Sequence, residues 1–209
     1  MILYDRPGSP QSVILAGSPL PLTGRDDILA FGLANDVFGG GVTSRLWRSL
    51  REERGWSYGP SSSASPTANQ MPFLLTAPVD RAQTGPTIAE IRRLLTEFRT
   101  TNPPQQAEVD RARAFSIRSL PGDFETGGAL LGALERAVVL QRPDDYLATL
   151  PARLEAVPLE AVRKAPLPTP ESLAFIVVGD RATLEPQLKA LGLPLEIRPT
   201  ETPPAQTPR

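Results

Sequence analysis

Residues 38–59 read FGGGVTSRLWRSLREERGWSYG, and this stretch contains most of the local signals in the chain. Three consecutive glycines, at positions 39–41, end the helical pattern that precedes them. A second helix is expected next, because a hydroxyl oxygen at Thr43 or Ser44 can accept hydrogen bonds from unpaired backbone N–H groups. Gly55 provides the left-handed position at which helices commonly end. The stretch therefore predicts a glycine loop, a helix and a sharp chain reversal.

Two side chains of this stretch can meet across the predicted reversal. Arg51 lies in the last helical turn, and Tyr58 begins the returning strand seven residues later. Such a turn can bring the Arg51 guanidinium and the Tyr58 phenol to the same side of the chain reversal. Together they offer a fixed fork of N–H donors and one O–H donor, which suit a carbonyl oxygen or a developing oxyanion. The alternative is an ordinary charged amphipathic helix that buries Leu46 and Leu50.

The glycine loop at 39–41 also has two interpretations. It leads into a helix N-terminus, where backbone N–H groups can hold an anion. A phosphate loop of the Walker type would continue as Gly-Lys-Ser/Thr, and the lysine is missing from this sequence. The simpler interpretation is a sharp turn between two helices whose backbone angles only glycine tolerates.

Strand and helix patterns surround the quoted stretch. Apolar runs bounded by turn residues predict strands at 2–4, 11–17, 173–179 and 195–197. Two extended segments at 56–64 and 72–79, joined by a connection that contains proline and asparagine, predict a hairpin. Apolar residues at intervals of three and four predict helices at 28–38, 88–98, 105–120, 125–140, 144–156 and 182–191. Because strands lie at the beginning, middle and end with helices between them, we expect an α+β fold. Its sheet is expected to be largely antiparallel, with the helices packed on one face.

We expect one domain over residues 1–198. Prolines crowd the end of the chain, and residues 199–209 (PTETPPAQTPR) show no apolar period, so this segment is predicted to be a tail or linker. The first residues contain a strand-like run and lack the charged and apolar regions of a signal peptide. Met1 is therefore expected to start either a segment of a longer chain or a subunit whose leader has been removed.

Composition excludes several classes of function. The 209 residues include no cysteine and no histidine, and 22 basic against 23 acidic side chains give a net charge of -1. The chain therefore cannot build a thiol nucleophile, a Ser-His-Asp triad or a zinc site of imidazole or thiolate ligands. A metal held by this chain alone would need carboxylate and carbonyl oxygens, which favour calcium or magnesium. The balanced charge predicts no nucleic-acid or membrane partner.

The chain resembles the second, non-catalytic domain of the pitrilysin/insulinase family of zinc metallopeptidases. That family, the inverzincins, includes the mitochondrial processing peptidase. The likeness is carried by QSVILAG at 11–17, by SRL, LRE, RG and Y after the glycine loop, and by Phe124-Glu125-Thr126. It covers roughly residues 4–191 and implies the LuxS/processing-peptidase-like metallohydrolase fold.

The resemblance implies a division of labour between two similar domains. One domain carries H-x-x-E-H on a helix and holds zinc with two histidines and a distal glutamate. The other supplies an arginine and a tyrosine to the substrate, and the matching positions here are Arg51 and Tyr58. Gly39, Gly40 and Gly41 are expected to shape the chamber between the domains. With no histidine in this chain, zinc is expected on the partner domain, and this chain alone is predicted to be inactive.

The partner is therefore an H-x-x-E-H catalytic domain, on the same polypeptide or on a separate subunit, and the substrate is a peptide. Such a peptide is expected to bind as an added strand along a sheet edge. Two alternatives stay open, namely a catalytically silent scaffold subunit or interaction module of the same fold, and a free-standing carboxylate-metal hydrolase. The resemblance to long exported bacterial forms favours a periplasmic location over a cytoplasmic one.

Overall fold

The computed structural model describes residues 1–199, apart from the side chain of Asp123. The strands are β1 (Ile2–Asp5), β2 (Gln11–Thr23), β3 (Ser61–Ala64), β4 (Gln70–Asp80), β5 (Ala174–Gly179) and β6 (Glu196–Pro199). The helices are α1 (Leu29–Phe38), α2 (Arg45–Trp47), α3 (Thr84–Arg99), α4 (Gln106–Ser119), α5 (Gly127–Val139), α6 (Tyr146–Ala156), α7 (Leu159–Arg163) and α8 (Arg181–Lys189). A π-helix over Arg48–Glu53 continues α2, and short 3-10 turns precede α3 and α5.

The strands form one six-stranded sheet in the order β3-β4-β2-β5-β1-β6. The pairs β3–β4, β4–β2 and β2–β5 are antiparallel. In this register Ile14 of β2 lies between Ala77 of β4 and Val177 of β5. The remaining two pairs, β5–β1 and β1–β6, are parallel. The expected single α+β domain with a largely antiparallel sheet is confirmed, and its parallel part is confined to the β1–β6 side.

Alternating residues of the sheet separate its two faces. In β2, Ser12, Ile14 and Ala16 are buried, whereas Val13 and Leu15 between them remain partly exposed. The period of two is the one expected when helices cover only one face of a sheet. Apolar residues from the helices and from the inner face of the strands form a single core. The expectation of helices on one face is therefore confirmed.

Several element bounds differ from those predicted. β2 reaches Thr23, because it pairs with β4 along most of its length, far beyond the apolar run at 11–17. The short helix α7 was not predicted, and β3 begins at Ser61, so Tyr58 lies in the turn before the strand. Pro199, the first residue of the predicted tail, ends β6, and residues 200–209 lie outside the described residues. The boundary of the domain at 198 stays a prediction. Over residues 1–199, no helix is both long and apolar enough to cross a membrane.

Candidate functional site

The predicted second helix is present, but most of it is a π-helix. The side chain of Ser44 caps α2 and accepts a hydrogen bond from the backbone N–H of Trp47, at 3.3 Å. The π-helix ends in a reversal of the chain. At this reversal the carbonyl of Leu50 accepts hydrogen bonds from both Trp56 N (2.8 Å) and Ser57 N (3.1 Å). Gly55 has a φ of 65°, which confirms its predicted left-handed conformation. π-turns are rare and occur frequently at functional sites.

This reversal brings Arg51 and Tyr58 together. The guanidinium of Arg51 donates a hydrogen bond from Nη1 to the carbonyl oxygen of Tyr58, at 2.8 Å. Its central carbon also lies 4.2 Å from the centre of the Tyr58 ring and 5.2 Å from the centre of the Trp47 ring. The guanidinium is thus held by two aromatic rings and one carbonyl, as cation–π contacts favour. The Tyr58 side chain is 80% exposed.

The residue before Tyr58 anchors the turn to the sheet. Ser57 is buried and pairs with Val79 of β4 in an isolated bridge. Its hydroxyl donates to the carbonyl of Pro78 at 2.7 Å. The backbone at Tyr58 is therefore fixed to a central part of the fold, and the exposed ring projects from a rigid base.

A buried carboxylate on α3 holds the π-helix in place through hydrogen bonds and an ion pair. Glu90 of α3 accepts hydrogen bonds from Ser49 Oγ at 2.5 Å and from Arg93, and Arg54 Nη2 lies 3.2 Å from it. The hydrogen bonds from Arg93 hold the pKa of the Glu90 carboxyl below its usual range, against the effect of burial. Sequence reasoning missed Glu90, because only the tertiary fold brings Ser49 and Arg54 to it.

The arginine of the SRL motif is structural. Arg45 forms a two-point ion pair with Glu108, with Nε–Oε1 at 2.8 Å and Nη2–Oε2 at 2.6 Å, and also donates to the carbonyls of Asn102 and Pro103. Burial alone would raise the pKa of Glu108, but the hydrogen bonds from Arg45 and from the Gln105 backbone keep it below its usual range. The motif therefore ties the start of α2 to α4.

The glycine loop is required for close packing, which corrects the sequence-based explanation. Gly39 has a φ of -155°, and neither it nor Gly40 or Gly41 is among the glycines with positive φ in the described chain. A Cβ at Gly39 would collide with the Ser62 side chain, and one at Gly40 would lie 2.8 Å from the Cα of Asp36. A Cβ at Gly41 would meet nothing within 4 Å. Glycine is thus required at two of the three positions, 39 and 40, because a side chain would not fit there.

The glycine loop also closes the outer edge of the sheet. Ser62 lies in the edge strand β3, and its backbone N–H donates to the carbonyl of Gly39 at 2.8 Å. The Ser62 carbonyl accepts from Asn35 Nδ2 at 3.2 Å, and the Ser62 hydroxyl donates to Asn35 Oδ1 at 2.7 Å. A peptide strand cannot pair with β3 at Ser62, so this edge does not offer the predicted mode of strand addition there.

A partly buried carboxylate lies beside the loop. Burial raises the pKa of Asp36 to about 6, although a hydrogen bond from Ser116 acts in the opposite direction. The N–H at the helix start, that of Ser44, donates to the carbonyl of Gly41 at 3.0 Å. The loop thus presents a carboxylate and an occupied N–H group, which do not favour the phosphate-binding alternative.

The third motif, Phe124-Glu125-Thr126, forms the entry to α5. Thr126 is the N-cap, and its hydroxyl accepts from Ala129 N at 3.1 Å. Glu125 lies before the cap, outside the first helical turn that the sequence pattern predicts for it. The residue that opens the helix is therefore Thr126 and not Glu125.

The chain does not fit a zinc ion. Histidine and cysteine, the usual ligands of zinc, are absent from the sequence. Among residues 1–199, leaving aside the Asp123 side chain, no three Asp or Glu side chains are grouped so that they could hold a metal ion. The donors that this site presents are a guanidinium and a phenol, which suit acceptor oxygen atoms rather than a cation.

Residues 1–199 thus form a six-stranded α+β domain in which an arginine and a tyrosine lie together at a chain reversal. The chain belongs to the family described as the peptidase M16 inactive domain, whose model matches residues 1–115 of the 209. The resemblance to a non-catalytic domain of zinc metallopeptidases is thereby confirmed. A comparison with curated protein sequences gives no significant match.

Solved structures show the same fold. A peptidase M16 inactive domain from Pseudomonas fluorescens is 25% identical with a TM-score of 0.74, over 86% of this chain and 43% of that one. An inactive peptidase domain from Bordetella parapertussis is 17% identical with a TM-score of 0.64, over 81% of this chain and 93% of that one. The periplasmic protease PqqL from Escherichia coli is 14% identical with a TM-score of 0.63, over 85% and 20%. The chain therefore spans less than half of the Pseudomonas chain and nearly all of the Bordetella domain.

Proposed function

We propose that this domain is the substrate-binding, non-catalytic half of a zinc-dependent endopeptidase. It closes one side of a chamber whose other side is an H-x-x-E-H domain, on the same polypeptide or on a separate subunit. Zinc and the general base belong to that partner. Arg51 and Tyr58 hydrogen-bond the carbonyl oxygen of the scissile peptide bond and the oxyanion that develops from it.

The single observation that carries this proposal is the Arg51–Tyr58 pair. The guanidinium and the phenol ring lie 4.2 Å apart on a rigid reversal, and the ring is largely exposed. A fully buried pair would only stabilise the fold, whereas a half-buried guanidinium beside an exposed phenol can reach a second molecule. Preorganised donors of this kind stabilise negative charge that forms on a peptide oxygen.

The open face of the sheet supports the need for a partner. Leu15, Leu74 and Ile176 are 43%, 54% and 37% exposed on the face that the helices do not cover. These side chains line a shallow groove of 690 Å³. Exposed apolar patches of this kind mark protein interfaces in soluble domains. The length that the Pseudomonas relative has beyond this chain is enough for a second domain of similar size. A periplasmic location is part of the same proposal.

Hydrolysis of a quenched fluorescent peptide with zinc present tests this function. We expect no turnover by this chain alone and turnover when it is mixed with its H-x-x-E-H partner. Turnover by the isolated chain would contradict the proposal and point to its carboxylates. Partner activity that is the same with and without this chain would favour a scaffold instead.

A further inference from the structure

The π-helix that carries Arg51 is held by side chains at both of its ends. Ser49, near its start, donates to Glu90 Oε1 at 2.5 Å, and Arg54, just after its end, lies 3.2 Å from the same oxygen. Arg54 also donates to Ser49 Oγ at 2.8 Å, so the three side chains form a closed triangle. Arg51 lies between the two anchored residues.

Such support is needed because a π-turn is intrinsically weak. Each of its hydrogen bonds joins residues five positions apart, against four in an α-helix. A π-turn therefore persists only where tertiary contacts favour it. Ser49 and Leu50 on its inner side are buried, while Arg51 faces the exposed Tyr58 ring. The contacts to α3 therefore fix the rotation of the turn, and that rotation fixes the direction of the Arg51 side chain.

We propose that Glu90 is a positioning residue, which sets the direction of Arg51 toward Tyr58 by holding Ser49 and Arg54 against α3. This inference rests on the proposed function of the Arg51–Tyr58 pair. Glu90 is 6% exposed and does not reach the substrate side of the turn, so it acts only through the π-helix. A displacement of about 1 Å in a positioning contact can cost about 10²-fold in rate.

Glu90→Gln tests the proposal, since it keeps the size of the side chain but removes its charge. Glu97→Gln is the matched control, because Glu97 lies on the same helix and pairs with Arg93 but, within the described part of the chain, its side chain forms no hydrogen bond or ion pair with the π-helix. In the complex with the H-x-x-E-H partner, we expect Glu90→Gln to lower kcat about 10- to 100-fold with a smaller change in KM. Glu97→Gln is expected to stay within about 2-fold of the wild type, since exposed ion pairs contribute little.

A double-mutant cycle separates positioning from general destabilisation. In an Arg51→Ala background, Glu90→Gln is expected to cost less than about 3-fold, because the group it positions is already gone. Fully additive losses would overturn the proposal. If Glu90→Gln does not fold by circular dichroism, Ser49→Ala replaces it, since it removes the contacts of the Ser49 hydroxyl to Glu90 and Arg54 and leaves the Glu90 charge.

NMR of the isolated chain tests the same inference without any activity. The Arg51 Nε–Hε signal is expected to carry a ring-current shift, because its guanidinium lies over Tyr58 and Trp47. Glu90→Gln should move this signal toward the random-coil position, while Glu97→Gln should not. An unchanged Arg51 signal in a folded Glu90→Gln variant overturns the inference. If the signal moves but the wild-type complex shows no hydrolysis, the inference stands and the proposed function fails.

Discussion

The Arg51 guanidinium lies on the face of the Tyr58 ring, 4.2 Å from its centre, and bonds to the Tyr58 carbonyl at 2.8 Å. Neither contact uses the phenol hydroxyl. The geometry of the pair and the chemistry of its hydroxyl can therefore be separated by substitution. This separation allows the proposed roles of the two side chains to be tested one at a time.

Tyr58→Phe should keep the stacked pair and remove only the hydroxyl donor. In the complex with the H-x-x-E-H partner, we expect kcat to fall about 10²-fold, as for loss of one oxyanion donor. Steady-state peptide hydrolysis measures this change. Tyr146→Phe is the control, because Tyr146 also stacks with arginines but lies far along the chain on α6. Equal activity of Tyr58→Phe and the wild type would remove the hydroxyl from the mechanism.

Arg51→Lys should be nearly as damaging as Arg51→Ala. A lysine keeps the positive charge but cannot present a planar fork between the two rings and a substrate oxygen. We expect kcat/KM to fall about 10²- to 10³-fold for both variants. Arg48→Lys, at an exposed position of the same π-helix, should change kcat/KM by less than about 2-fold. Full activity of Arg51→Lys would show that charge alone suffices.

Replacement of the loop glycines by alanine should separate crowded from open positions. Gly40→Ala is expected to cost about 1–3 kcal/mol of the free energy of unfolding, since its Cβ would crowd Asp36. Gly41→Ala is the matched control and should stay within about 0.5 kcal/mol, because its Cβ meets nothing within 4 Å. Urea unfolding measures both. Equal effects at the two positions would contradict the close-packing explanation.

Asp36→Asn should stabilise the domain in a pH-dependent way. Burial raises the Asp36 pKa from 3.8 to about 6, so the folded state binds this proton more tightly than the unfolded state. The contribution of Asp36 to stability is therefore greatest below about pH 4, falls as the pH rises to about 6, and stays low above it. The asparagine variant avoids this loss and should gain about 1–3 kcal/mol at pH 8.

The comparison for Asp36→Asn is urea unfolding at pH 4 and pH 8. At pH 4 the gain over the wild type should shrink, because Asp36 is then largely protonated in the folded state. Asp144→Asn, in an exposed turn, serves as the control for the loss of one carboxylate. A gain of the same size at both pH values would show that titration of Asp36 does not cause it.

Local patterns predicted the helices other than α7, most strands and the meeting of Arg51 with Tyr58. Those features depend on periodicity, on caps such as Ser44 and on the left-handed Gly55, which are encoded within a few residues. The π-helix could not be predicted in this way. Its geometry depends on Glu90, which lies forty-one positions after Ser49 in the sequence. Contacts over such distances leave no periodic signal.

The sequence also did not reveal why the loop at 39–41 needs glycine, because that reason too depends on tertiary contacts. A glycine that is needed for space looks identical in sequence to one that is needed for its backbone angles. Only the fold shows that Gly39 faces Ser62 and that Gly40 faces Asp36. The parallel pairing of β1 with β5 and β6 likewise joins the two ends of the described chain, which no local pattern relates.

The hydrogen bonds that Gly39 and Asn35 form with Ser62 affect how the protein behaves in concentrated solution. An uncovered edge strand is a template on which another chain can add, and such growth leads to aggregation and amyloid-like fibres. The Gly39 carbonyl and the Asn35 side chain already satisfy the outward N–H and C=O of Ser62 at the middle of β3. Pairing of another chain with β3 is thus hindered at Ser62, and Asn35→Ala should make the domain more prone to fibre formation.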